Sequence, residues 1–182
     1  TLSSSSAASD VYKRQQVTSV IATILQEWAP RFPILQGINF CGIEQRRLEK
    51  LIGQWLELEQ RRAAFEIASL ESKASLRFGD LEISLRIDRI DRIDDKLLII
   101  DYKSASVKPS SWLGDRPIDP QLPLYVLANN PVANGCAFAQ IKGGLIKFVG
   151  ASDSELIVEQ KPVDDWSAQV DQWQTALTNL CL

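Results

Sequence analysis

The 182-residue sequence contains no histidine and no methionine, and only three cysteines. The lack of histidine removes Ser-His-Asp and Cys-His nucleophilic catalysis, histidine general bases and histidine metal ligands together. Cys41, Cys136 and Cys181 are far apart and odd in number, so they form neither a zinc-ligand spacing nor a disulfide framework. Reduced thiols and a cytoplasmic location are the expectation. No run of about 18 apolar residues is present, so no membrane-spanning helix is expected. The opening, TLSSSSAASDVYKRQ, has no apolar core of the kind a secretory signal carries. A chain that starts with Thr and holds no Met is expected to be a piece of a longer reading frame. Residues 1–15 are expected to be a non-native or disordered leader outside the fold. Net charge is −3, so composition alone gives no basic excess to mark nucleic acid.

What is present is ordinary core material: 45% of residues are hydrophobic, enough for a packed domain. Val17, Val20, Ile21, Ile24, Leu25 and Trp28 recur at helical spacing over residues 16–28, until Pro30 and Pro33 break the pattern. A second helix is expected over residues 43–65, with Leu48, Leu51, Ile52, Trp55 and Leu58 on one stripe. Its charged side, including Arg61 and Arg62, reads as a solvated face. The period then changes. Residues 65–78 alternate loosely, Gly79-Asp80 marks a turn, and Leu81, Ile83, Leu85 and Ile87 alternate strictly, as in a half-buried strand. The continuous apolar run over residues 97–100 suits a strand buried on both faces. Residues 104–120 are rich in Ser, Pro, Gly and Asp and read as a long loop. Asp119-Pro120 then caps a helix to about Asn129, with Pro at its first position. GCAFAQIKGG and LIKFVG read as two further strands, and residues 165–182 as a closing helix. The order predicts an α/β or α+β fold, with helices flanking a central mixed sheet. Residues 16–65 form a helical flank and residues 66–182 the core.

The stretch RIDRIDRID, residues 86–94, carries the chemistry question. As a helix it would line up Ile87, Ile90, Ile93 and Leu97, with Arg and Asp paired three apart. As a strand it continues the alternation before it, and β-branched Ile favours that form. A turn at Asp94-Asp95 would pair residue 93 with 96, 90 with 99 and 88 with 101. Asp88 and Asp101 would then face each other with Cβ atoms about 5 Å apart, and Lys103 would share their face. Asp91 would point to the other face and Asp94 would sit in the turn. Two facing carboxylates repel, and a hard divalent cation such as Mg²⁺ resolves the repulsion. A lysine beside it suits metal-assisted attack on a phosphodiester.

RIDRID (residues 86–91), IIDYKS (residues 99–104) and QLPLY (residues 121–125), in that order, resemble the motifs of the PD-(D/E)xK nuclease superfamily, in particular its RecB/AddB-like branch. WLGDRP (residues 112–117) resembles the loop before the Gln motif in a group of bacterial DNA-repair proteins. The resemblance extends from about Leu48 to Gly150. It implies a restriction-endonuclease-like core. It also implies that Asp88, Asp101 and the carbonyl of Tyr102 bind Mg²⁺ or Mn²⁺, that Lys103 is the catalytic lysine, and that Gln121 and Tyr125 border the active site and the DNA path. The implied activity is DNA hydrolysis in repair or recombination, with DNA as partner and a helicase-like region or subunit outside this chain. No G-x-x-x-x-G-K-[ST] is present to supply that helicase. Relatives complete the metal site with a Glu or His from a first helix. Here Glu71 is the candidate carboxylate near the site. An iron–sulfur cluster, held by C-terminal cysteines in some relatives, is not expected of this chain. The alternative is a nuclease-fold module that no longer cuts and serves as a DNA- or partner-binding scaffold.

Overall fold

A computed structural model describes residues 3–108, 112, 117–160 and 162–181. The chain divides into two compact units, Thr1–Glu59 and Gln60–Leu182. The first is helical: α1 (Ser3–Trp28), a 3-10 turn (Pro33–Gln36) and α2 (Ile38–Glu59). Helix α1 starts well upstream of residue 16, where the apolar periodicity begins. Helix α2 begins and ends earlier than the expected residues 43–65. Its buried positions, Leu51, Trp55 and Leu58, keep the helical spacing that predicted it. Residues 60–65 are not helical.

The second unit is a five-stranded sheet in the order β1-β2-β3-β4-β5, with β1 Glu66–Phe78, β2 Leu81–Ile93, β3 Lys96–Lys103, β4 Gly135–Lys142 and β5 Leu145–Ser152. Two helices complete it, α3 (Gln121–Ala128) and α4 (Trp166–Cys181). Pairing is antiparallel except between β3 and β4, which run parallel. A parallel pair needs a long crossover, and the segment carrying α3 supplies it. The sheet is mixed and the fold is α+β, as the element order implies. Tight turns at Gly79 and Gly144 use left-handed backbone, with φ of 57° and 79°. Asp94, at the β2–β3 turn, has φ of 50°, a conformation aspartate tolerates.

The apolar run in β3 is the centre of the sheet: Leu98, Ile99 and Ile100 are fully buried. Each contributes roughly 1.5–3 kcal/mol by leaving water. One hydrophobic cluster joins Ile90, Ile99, Leu122, Tyr125, Phe138 and Trp173, tying α3 and α4 to the sheet. The cap of α3 differs slightly from expectation. Pro120 takes the cap position itself, and Asp119 Oδ1 accepts from the Gln121 N–H at 3.3 Å. At α4, Asp165 Oδ1 accepts from the Ala168 N–H at 2.9 Å, an N-cap bond.

Arg62 corrects one expectation. It was placed on a solvated helix face, yet its side chain is only 1% exposed and pairs with Asp91 at 2.7 Å. Asp91 is fully buried and also takes a bidentate bond from Arg89, at 2.6 and 2.9 Å. Both guanidinium groups lie against the Phe65 ring, at 4.2 and 4.9 Å from its centroid. Burial alone would lower the pKa of the Arg89 guanidinium. Hydrogen bonds to Asp91 and Tyr102 more than reverse this and raise it. Residues 60–65 therefore leave the helical path to deliver Arg62 and Phe65 to this stack. Arg61, by contrast, is exposed and pairs with Glu159. Removing one member of a buried ion pair strands the other charge, at a cost of about 3–5 kcal/mol. Asp91→Ala is expected to lose that much stability in denaturant unfolding. A loss below about 1 kcal/mol, the scale of an exposed pair, would show that the network is dispensable.

Candidate active site

The β2–β3 register places the site. Ile93 pairs with Lys96 and Ile90 with Ile99. Extended past the last paired residues, Arg89 and Ile100, the register sets Asp88 opposite Asp101. There a side chain replaces the ladder: Asp88 Oδ2 accepts the Tyr102 N–H at 3.0 Å. The Tyr102 side chain goes to the other face, where its hydroxyl accepts from Arg89 Nη1 at 3.0 Å.

Asp101 is only 3% exposed, and its two oxygens have different surroundings. Oδ1 accepts from Gln121 Nε2 at 2.7 Å and from the Tyr125 hydroxyl at 3.5 Å. Oδ2 is buried without a hydrogen-bond partner. Lys103 Nζ lies 3.0 Å from it, at ion-pair distance but off the hydrogen-bonding direction. Lys103 Nζ donates instead to Gln121 Oε1 at 2.5 Å. It also sits 5.1 Å above the centre of the Phe138 ring. Gln121 Nε2 donates again to the Tyr125 hydroxyl at 2.8 Å. One turn of α3 thus presents Gln121 and Tyr125 together, and the Gln121 amide links the lysine to the carboxylate.

Burial raises the Asp101 carboxyl above its ordinary 3.8. The nearby Lys103 pulls it down and the Asp88 charge pushes it further up, and the net shift is upward. Burial likewise raises the Tyr125 hydroxyl; Asp101 and Asp88 add to this while Gln121 opposes it.

The structure brings Asp101, Lys103, Gln121 and Tyr125 into one hydrogen-bonded cluster and ties Asp88 beside it through the Tyr102 N–H. Glu71 does not join it. Its β1 neighbours pair with Arg89 and Ile87, so it lies level with Asp88. Its carboxylate, however, pairs with Arg86 at 2.9 Å, both side chains being exposed, and its φ is 51°. Residues 113–116 of WLGDRP lie outside the described residues. Trp112 is fully buried, edge-on to Phe138 with ring centres 5.4 Å apart.

Residues 7–181 match the sequence profile of the PD-(D/E)XK nuclease superfamily. The chain belongs to that superfamily. Its mixed sheet with flanking helices is consistent with the restriction-endonuclease-like PD-(D/E)XK fold. Among solved structures, the crystal structure of SSO0001 is similar, with 15% identity and a TM-score of 0.35 over 90% of this chain and 74% of that one. No curated protein matches. PD-(D/E)XK proteins are usually hydrolytic nucleases and generally use divalent metal ions. Among the described residues, no three His, Cys, Asp or Glu side chains gather in one place to hold a metal. The donors that do converge are two carboxylates, one with a buried oxygen lacking a hydrogen-bond partner. That oxygen fits a hard cation, which would satisfy it and offset the Asp88–Asp101 repulsion.

The phenylalanine under the lysine was missed by sequence reasoning. Phe138 pairs with Asp101 across the parallel β3–β4 ladder, and no short-range signal shows that β4 lies beside β3.

Because the folded pKa of Asp101 lies above its unfolded value, its ionised form weighs against the metal-free fold. The penalty is absent below pH 3.8 and develops as pH rises through the folded pKa. Metal-free Asp101→Asn is expected to melt higher than wild type near neutral pH, with the gap closing as pH falls toward 3.8. A gap of constant size at every pH would assign the effect to packing.

Proposed function

We propose that this chain is a divalent-metal-dependent deoxyribonuclease of the RecB/AddB-like branch, acting within a DNA-repair or recombination protein in the cytoplasm. The observation that carries the reading is Asp88 set opposite Asp101 by the register, with Lys103 3.0 Å from a buried Asp101 oxygen that lacks a hydrogen-bond partner. Asp88, Asp101 and the Tyr102 carbonyl would hold Mg²⁺ or Mn²⁺. Such an ion, when bound, supplies charge to a phosphodiester and makes water acidic enough to attack it near neutral pH. Lys103, gripped by Asp101 and Gln121, stands ready to orient that water or to meet the charge developing on the phosphate. Gln121 and Tyr125 hold Asp101 through Oδ1 and leave Oδ2 for the ion. In this reading the helical flank ends at Glu59 rather than at the expected residue 65, residues 60–182 are the nuclease core, and a helicase-like region or subunit acts outside the chain.

The second reading is a nuclease-fold scaffold that binds without cutting. The engagement of Glu71 by Arg86 favours it, since that carboxylate is spent on an exposed ion pair rather than on the site.

The deciding experiment is cleavage of labelled single- and double-stranded DNA with Mg²⁺ or Mn²⁺. Wild type is expected to cut, and Lys103→Ala to lose about 10²–10⁴-fold in rate, the range of a positioned proton-transfer group. Asp88→Ala is expected to abolish saturable Mn²⁺ binding in calorimetry. Cutting that survives without metal or without Lys103 would overturn the mechanism. DNA binding that is the same in wild type and Asp101→Ala, with no cutting by either, would establish the scaffold.

A further inference from the structure

Charge is unevenly distributed around the site. Between Asp101 and Asp115, and again between Asp119 and Asp153, the sequence holds no Asp or Glu, yet it carries Lys103, Lys108, Lys142 and Lys147. In a chain of net charge −3 this is a local reversal of sign. The sheet gathers three of these lysines on one face. Lys103 is in register with Gln140 on β4, and Gln140 with Lys147 on β5. Residues in register share a face, so the three form a lateral row on the face that carries Asp101. Strands lie about 4.8 Å apart, which puts the backbones at the two ends of the row about 10 Å apart. Lys142, two residues beyond Gln140, points the same way.

Residues 104–108 cross the middle of this row. The Val107 N–H donates to Gln140 Oε1 at 3.3 Å, and Lys142 Nζ donates to Ser106 Oγ at 3.4 Å. Gln140 is fully buried and acts as a prop beneath the segment. Ser104, Ser106, Lys142 and Lys147 are exposed. Among the described residues, neither Lys142 nor Lys147 has an ion-pair partner. Among the described residues, 104–108, β4 and β5 contribute ammonium and hydroxyl groups to this surface and no carboxylate.

We infer that this surface is a track for the sugar–phosphate backbone of the nucleic-acid strand, running outward from Asp101 and Lys103 across β4 and β5. The inference rests on the nuclease reading for its origin at the scissile bond. Lysines and hydroxyls arranged this way contact phosphates and carry no base readout. The track thus predicts binding that is independent of sequence and steeply dependent on salt.

The test is anisotropy of labelled single- and double-stranded oligonucleotides with the whole chain, in Ca²⁺ to hold back cleavage, over a series of salt concentrations. Lys142→Glu and Lys147→Glu change exposed side chains, so folding should persist, and circular dichroism checks it. Each is expected to weaken binding severalfold and to lower the slope of log affinity against log salt by about 0.7 on single strands. Arg77→Glu, an exposed residue at the far end of the β1–β2 hairpin, in register with Glu82, serves as control and is expected to leave both unchanged. With Mg²⁺, Lys147→Glu is expected to raise KM while kcat at saturating DNA stays near wild type. Wild-type affinity and slope in both variants, an equal loss in Arg77→Glu, or no binding by wild type would each overturn the track. Cleavage that ignores Lys142 and Lys147 would remove the track and leave the nuclease. Binding that depends on these lysines, with no cleavage in any metal, would keep the track and remove the nuclease.

Discussion

A tripeptide repeat laid on a strand of period two cannot keep its aspartates on one face. This mismatch is the constraint from which the site follows. Asp88 falls on the face with Asp101, Asp91 on the reverse, and Asp94 in the turn, where its left-handed backbone closes the hairpin. Three identical tripeptides therefore produce three unlike aspartates. A slip of one residue between β2 and β3 would exchange the faces. It would take Asp88 from the site and aim Asp91 at the wrong layer.

The reverse face guards against that slip. Asp91 is buried between Arg62 and Arg89, with Phe65 stacked on both guanidinium groups. A buried pair of this kind need not be more stable than an apolar replacement. Its effect is selective, because any register that separates the partners leaves a bare charge out of water. Tyr102 couples the two faces. Its backbone N–H holds Asp88 on one side, while its hydroxyl accepts from Arg89 on the other. The residue between Asp101 and Lys103 thus anchors the site to the network behind the sheet.

Local features were legible in the sequence and distant ones were not. The alternation in β2, the apolar run in β3 and the short turn between them were enough to give the Ile90–Ile99 register. Gln121 and Tyr125, four apart, had to share a helix face. The parallel pairing of β3 with β4 comes through a long crossover with no local signature, so Phe138 and Gln140 could not be assigned to the neighbourhood of Lys103. Arg62 was misread for a related reason. Viewed on a helical wheel it belongs with other charges, and only the end of α2 at Glu59 frees it to turn inward. Glu71 was placed near the site by position along the chain, but a positive φ and Arg86 take its carboxylate elsewhere.

The loss of helix after Glu59 also decides where the chain can be divided. Read by periodicity, the helical flank would extend to residue 65 and a separated sheet would begin at Glu66. Such a cut would discard both Arg62 and Phe65, leaving Asp91 with a single cation and Arg89 without its ring. Six residues that look like the tail of a helix belong, by their contacts, to the sheet. Any piece made to represent the sheet unit must start no later than Gln60.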